Sequence, residues 1–267
     1  MSFPVSSATI HKRGVQMFKQ RLSETSSFST IMHWYLLSFN AGSINAGGFL
    51  ATGKFVSHVT GFATLFGVDF IDDRPESAIG ILSVPLFFLI GSFISGMLID
   101  RPIHLKKRPH FDYVMGLSAL CLFASAGDGI VILSHLAGFG QLLKFEQVYV
   151  LLALLCLACG LQNGAVTTGS GSTIRTTHLT GITTDLGLGL ARIVTHRNNP
   201  SHLHRETRVN LVRLGSILAF VVGSALGTWF FIQLGYRGFI IPGLISTYAA
   251  WHGRKDKHAA HQEQLSI

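Results

Sequence analysis

The stretch SHVTGFATLFG, Ser57 to Gly67, returns later in the chain as THLTGITTDLG, Thr177 to Gly187. The order is the same in both: a hydroxyl residue, His, an aliphatic residue, Thr, Gly, then a further Thr and a closing Gly. Each string opens a short apolar segment, 58–71 and 178–194. The first covers about 14 residues, roughly 21 Å as a helix, which falls short of a bilayer core of about 30 Å.

The match extends outward. AGSINA (Ala41 to Ala46) precedes the first string and CGLQNG (Cys159 to Gly164) the second, aligning Gly42 with Gly160 and Asn45 with Asn163. LIGSFISG (Leu89 to Gly96) and FVVGSALG (Phe220 to Gly227) follow them more loosely. Three blocks in shared order are the mark of an internal duplication.

Around these blocks lie six long apolar segments, approximately 31–52, 78–99, 113–136, 147–167, 211–234 and 237–252. Each is a candidate bilayer crossing, the last needing Tyr236, Tyr248 and Trp251 as interface anchors. The chain of 267 residues is 48% hydrophobic and only 13% charged, with a mean hydropathy of +0.43. Soluble domains carry about 25% charged residues. The net charge of +8 resides in short segments between apolar runs, the pattern of cytoplasmic loops and not of a nucleic-acid-binding face.

Loop charge sets the topology. If the two short segments are re-entrant, the loop RPIHLKKRPH (Arg101 to His110), the stretch His196–Arg208 and the C-terminal Arg254, Lys255 and Lys257 all fall inside. The acidic DDRPE (Asp72 to Glu76) then falls outside. If both short segments cross, Lys106, Lys107 and Arg108 land outside, against the positive-inside rule. The expected fold is an all-α membrane protein: six long transmembrane helices plus two short broken or re-entrant helices in an internal, inverted repeat. Seven or eight spans is the alternative. Residues 1–30, Ser-rich with scattered basic residues, read as a disordered cytoplasmic tail; 31–252 as one polytopic domain with repeats 31–136 and 147–252; 253–267 as a second cytoplasmic tail. Both termini are thus expected in the cytoplasm of a bacterial inner-membrane protein.

The linkers LATGKFVS and TTGSGSTIRTT cannot be regular helix throughout, and irregular backbone at membrane depth belongs where protein or a water-filled cavity satisfies it. Ser57 and Thr177 stand where helix caps belong. The helix starts that follow carry partial positive charge, and Lys54 and Arg175 lie within three residues of them, a setting for an anion or carboxylate. The alternative is that the two cations snorkel to headgroups. His58 and His178 are the ionisable pair repeated in both copies, of a residue type that changes charge near neutral pH. Thr60, Thr64, Thr180 and Thr184 follow on helical spacing, either bonded to the preceding turn or lining a polar path. Asp185 replaces Leu65 between the copies, and Asp128 sits deep in ASAGDGI; a carboxylate there needs a partner such as Arg175, His58 or His178. The expected solute or ion path is therefore Asn45, Lys54, Ser57, His58, Thr60, Asp128, Asn163, Arg175, Thr177, His178, Thr180, Thr184 and Asp185.

Other chemistry is thinly marked. Cys156 and Cys159 form a C-x-x-C within an apolar run and read as packing residues. The H-x-H at His202 and His204 lacks Cys or acidic neighbours for a metal. No cofactor, phosphate loop or nucleophile elbow is indicated.

The paired motifs resemble the YoaK family, bacterial integral membrane proteins carrying a domain of unknown function. The resemblance rests on Gly42, Asn45 and Ala46; His58, Thr60 and Gly61; Gly160 to Asn163; and Thr177, Thr180, Gly181, Thr184 and Leu186. Where relatives have Asp and Asn, this chain has Asn45 and Phe62. The resemblance implies location and architecture, not a substrate. The residues themselves favour a transporter or channel-like protein for a small, anionic solute with proton coupling, in the lipid bilayer and free to form homo-oligomers. A membrane enzyme acting on a lipid or amphiphile would instead cluster His58, His178 and Asp185 at an interface. A non-catalytic scaffold would pack its linkers without a polar cavity.

Overall fold

The computed structural model describes residues 28–72, 75–127, 147–195 and 200–265. Asp128, residues 1–27, and the end of the third apolar segment lie outside them. Within them the chain is helical. The first half comprises α1 (Phe28–Thr52), α2 (Val59–Ile71), α3 (Pro75–Ser95) and α4 (Phe111–Ala124). A π-helical turn (Gly96–Asp100) and a last turn (Arg101–His104) prolong α3. The second half repeats the series as α5 (Gln147–Gly169), α6 (Leu179–Thr195), α7 (Pro200–Leu234) and α8 (Ile240–Leu265). α7 begins well before the apolar run at 211, and α8 continues through the expected tail to Leu265. Pro200 opens α7, a position at which its missing N–H costs no helical bond.

Each half packs its first long helix on the third helix of the other half, and it does so with the same contacts. A Cβ on Gly42 would overlap the Phe220 carbonyl of α7, and one on Gly160 would overlap the Phe88 carbonyl of α3. Gly223 in turn faces Phe39, and Gly91 faces Leu157. Ser224 Oγ donates to the Gly42 carbonyl at 3.2 Å, and Ser92 Oγ to the Gly160 carbonyl at 3.3 Å. Small residues allow this backbone approach, which matters in lipid because no hydrophobic force drives helix against helix there.

Contact order gives the helix directions. Phe39 meets Gly223, Ser43 meets Gly227 and Gly47 meets Phe231, so α1 and α7 run parallel. Leu157 meets Gly91 and Gly164 meets Ser95, so α3 and α5 run parallel too. Gln162 bonds to Asn40 and to the Leu37 carbonyl while Gly48 faces Leu155, so the equivalent helices α1 and α5 are antiparallel. Phe123 meets Gly243 and Phe111 meets Gly253, making α4 and α8 antiparallel as well.

Polar side chains are buried between the helices, and large apolar ones face outward. Asn40 and Gln162, both 0% exposed, share a 2.9 Å hydrogen bond, and Asn40 reaches Ser246 Oγ at 3.1 Å. Leu89, Phe93, Leu120 and Ile232 are each more than 60% exposed on the outer faces of α3, α4 and α7. Such a distribution suits lipid as solvent. Among the described residues, three segments are both long and apolar enough to cross a membrane: Val84–His104, Val148–Gly169 and Pro200–Arg254, the last running through α7 and α8. That is fewer than the six expected. α1 has the length, at 25 residues, but His33, Ser38, Asn40, Ser43 and Asn45 dilute its apolar content. Most of those side chains are buried against neighbouring helices, so the helix need not be apolar all round. α4 has 14 residues.

Two apolar cores flank the helix crossings. One joins Ile44, Val56, Phe62, Val84 and Leu155; the other joins Trp34, Val114, Leu161, Ile174 and Ile182. Phe62 and Ile182 are the matched positions of α2 and α6, so each short helix nails one core.

The close contacts define a test. Gly42→Ala or Gly160→Ala must separate two backbones and is expected to destabilise the protein by about 1–3 kcal/mol. Gly67→Ala, with open space around the new Cβ, should be neutral or mildly stabilising. Thermal unfolding of the three variants in detergent checks this ordering.

Candidate functional site

Both helix breaks are folded back along the helix they follow. α1 ends at Gly53 (φ +69°), whose amide donates to Phe49 O at 2.7 Å. Left-handed backbone of this kind suits glycine. The chain then reverses, and Val56 packs against Gly48. Cys156 Sγ donates to the Val56 carbonyl at 2.9 Å, which accounts for that cysteine. Cys156, Cys159 and Cys121 are all free and buried. The second linker turns at Gly171 (φ +60°) and is held by Ser170, whose Oγ accepts from the Ile174 amide at 3.1 Å.

An asparagine pins each reversal. Asn45 Oδ1 accepts from the Ser57 amide at 3.4 Å and the Ser57 hydroxyl at 3.1 Å. Asn163 Oδ1 accepts from the Thr177 amide at 3.4 Å. The short helices therefore start at the depth of these asparagines, inside the helix packing. Ser57 is not the cap expected of it. Its hydroxyl is spent on Asn45, and His58 takes the N-cap position of α2 without a side-chain cap bond.

The geometry explains the T-G of the repeated string. A Cβ on Gly61 would lie 2.8 Å from His58 Nδ1, and one on Gly181 would overlap His178 Nδ1. Each imidazole thus folds over the first turn of its own helix, onto a position where any side chain would displace it. Thr64 Oγ1 and Thr184 Oγ1 donate back to the carbonyls of Thr60 and Thr180, at 3.2 and 2.9 Å.

The two helix starts open on one cavity of about 790 Å³. Of the expected residues, Asn45, Ser57, His58, Thr60, Asn163, Arg175, Thr177, His178 and Thr180 line it. Lys54, Thr184 and Asp185 do not, and Asp128 lies outside the described residues. Lys54 fails through register: the 120-residue offset matches Arg175 with Phe55, not with Lys54. Lys54 is instead held by its backbone, its amide donating to Thr52 Oγ1 at 3.2 Å. Asp185 faces α7, where Arg213 Nη1 donates to its carbonyl at 3.0 Å and the two side-chain charges interact. Arg213 also reaches Asn210 Oδ1 at 3.0 Å, and Arg192 meets Glu206 at 3.6 Å. Neither His58, His178 nor Arg175, the partners expected for Asp185, takes that role. Arg213 is matched by Ile81 in the first half, just as Asp185 is matched by Leu65.

Sequence reasoning missed the apolar lining: Phe55, Val59, Ala63, Phe88, Leu179 and Phe220, together with Thr167. A signal existed for two of them. Phe88 and Phe220 each stand three residues before the glycine of a Gly-Ser pair, at matched positions of the third block.

A family model described as Protein of unknown function (DUF1275) matches residues 33–251, and the chain belongs to this family. The match spans both copies of the motif and every described element of the cavity. No curated protein and no solved structure matches the chain.

Asn45 holds one more hydrogen bond than Asn163. Asn45→Ala is therefore expected to lower stability by about 1–2 kcal/mol, and Asn163→Ala by less. Chemical or thermal denaturation of the purified variants measures the difference.

Proposed function

We propose that this helical membrane protein is a transporter or channel-like protein for a small anionic solute, built as an inverted repeat and assigned within its family to the YoaK group. One observation carries the reading: both copies of the His-x-Thr-Gly string begin a helix at the same cavity. Half-helix starts that converge within a bundle suit an anionic group, because their free amides and dipoles point at it. The antiparallel run of α1 against α5, and of α4 against α8, supports the inversion. In this topology the six apolar segments of the sequence cross the inner membrane, and α2 and α6 enter from opposite faces and return.

Charge supports the orientation. The start of α1, the end of α3, the starts of α4 and α7 and the end of α8 share one end of the bundle. Arg101, Lys106, Lys107, Arg108, Arg205, Arg208 and Arg254 lie in those segments. That end is cytoplasmic by the positive-inside rule, with both termini there. The separation of Asp185 from His58 and His178 weighs against a membrane enzyme using all three. His58 and His178 line the path and carry the coupling to protons; Asp185 and Arg213 fix α6 on α7.

The test is uptake of labelled small anions into vesicles reconstituted with the purified protein, with an imposed pH gradient. Wild-type protein should give flux. His58→Ala and His178→Ala should each lower it about tenfold or more while eluting as folded protein, in the range lost with a single acid–base group. Absence of flux across a chemically broad panel, or full flux in both variants, overturns the assignment.

A further inference from the structure

Taking the cavity as the solute site, we propose that its ligand is an aromatic monocarboxylate. The carboxylate sits at Arg175, Thr177 and Thr167, and the ring lies among Phe55, Phe88 and Phe220. The observation behind this is a failure of symmetry. Asn45 and Asn163, Ser57 and Thr177, His58 and His178, Thr60 and Thr180, and Phe88 and Phe220 match across the cavity in chemical type. Phe55 and Arg175 do not, nor do Thr167 and its counterpart Phe49. At these two positions the second copy is basic and hydroxylic and the first copy aromatic.

The polar wall holds donors with nothing to donate to. Thr177 is 6% exposed, and its Oγ1 is buried without a hydrogen-bond partner; the Thr167 hydroxyl is buried and unpartnered as well. Ser57, the counterpart of Thr177, is spent on Asn45. Buried hydroxyls are usually paired, and these two stand in the cavity lining within the same wall as Arg175, where an acceptor would satisfy them. Arg175 Nη1 stands beside Gly181 in the first turn of α6, where unbonded helix amides collect. No Asp or Glu is among the described lining residues, so the guanidinium is the one permanent charge in the lining. It matches a monoanion in charge, whereas a dianion would set its second carboxylate among the phenylalanine rings with no cation beside it.

The phenylalanine rings of the lining select the body of the ligand. Phe88 and Phe220 come from the two close-packed helices α3 and α7, whose backbones are fixed by the glycine contacts. Phe55 stacks on Phe49 with ring centroids 4.5 Å apart. Offset or edge contact with such rings favours a planar aromatic ligand over a flexible one. A cavity of about 790 Å³ admits a two-ring compound.

Calorimetric titration of the purified full-length chain in detergent, at constant ionic strength, tests this with four probes: 1-naphthoate, acetate, 1-naphthalenemethanol and naphthalene-1,8-dicarboxylate. Naphthoate should bind at least about tenfold tighter than each of the other three, the factor expected for one good ionic or stacking contact. Arg175→Gln should reduce naphthoate to the affinity of the neutral alcohol, and Arg175→Lys should restore part of it. Phe55→Ala should weaken naphthoate about tenfold and leave acetate unchanged. Equal binding of acetate and naphthoate, no naphthoate binding by folded wild type, or an Arg175→Gln variant that binds naphthoate like wild type each overturns the proposal. If a variant does not fold, the four-probe series on wild type decides alone. Naphthoate binding without vesicle flux overturns the transport reading and leaves this one standing; flux of a non-aromatic anion without naphthoate binding does the reverse.

Discussion

The backbone contact of α1 on α7 and of α3 on α5 is the interaction on which the rest of the molecule depends. Gly42, Gly223, Gly91 and Gly160 bring the helices so close that no side chain fits between them. Serine hydroxyls then cross the gap to carbonyls of the facing helix. Because these pairs join the first helix of one half to the third helix of the other, neither half closes on itself. The cavity forms where the two pairs face each other, and Phe88 and Phe220 reach it from the same contact stretches.

A second constraint acts on the helix breaks. Backbone amides buried in a membrane protein must find partners. Asn45 and Asn163 meet that need from the preceding long helix, so each linker is pinned at a set depth. An Asp at position 45 would supply the same acceptor oxygens with a charge added. Here the amide does the pinning, and the ionisable groups at the cavity are the two imidazoles and Arg175.

Much of the architecture was legible from the residues. The duplicated strings located both breaks, the apolar runs located the long helices, and the histidines and asparagines were found because they recur. Lys54 stands beside a helix start in sequence but outside the cavity, because register between the copies puts Phe55 at the position of Arg175. Asp185 likewise stands near the cations of its motif in sequence, while its partner Arg213 comes from a helix whose approach is set by packing. The phenylalanine wall was missed because an aromatic residue in an apolar run has no distinct signature until its neighbours are known.

The sequence alone determined the elements and their repetition, since period, length, glycine spacing and hydroxyl placement are local properties that each segment carries with it. It also determined which residues differ between the copies. Only the tertiary structure decided which half each helix packs against, that both His-x-Thr-Gly strings open on one cavity, and that Asp185 belongs to Arg213. The physical reason is that these outcomes depend on helix–helix approach at specific glycines, where a difference of one methyl group determines which side chains can share a space.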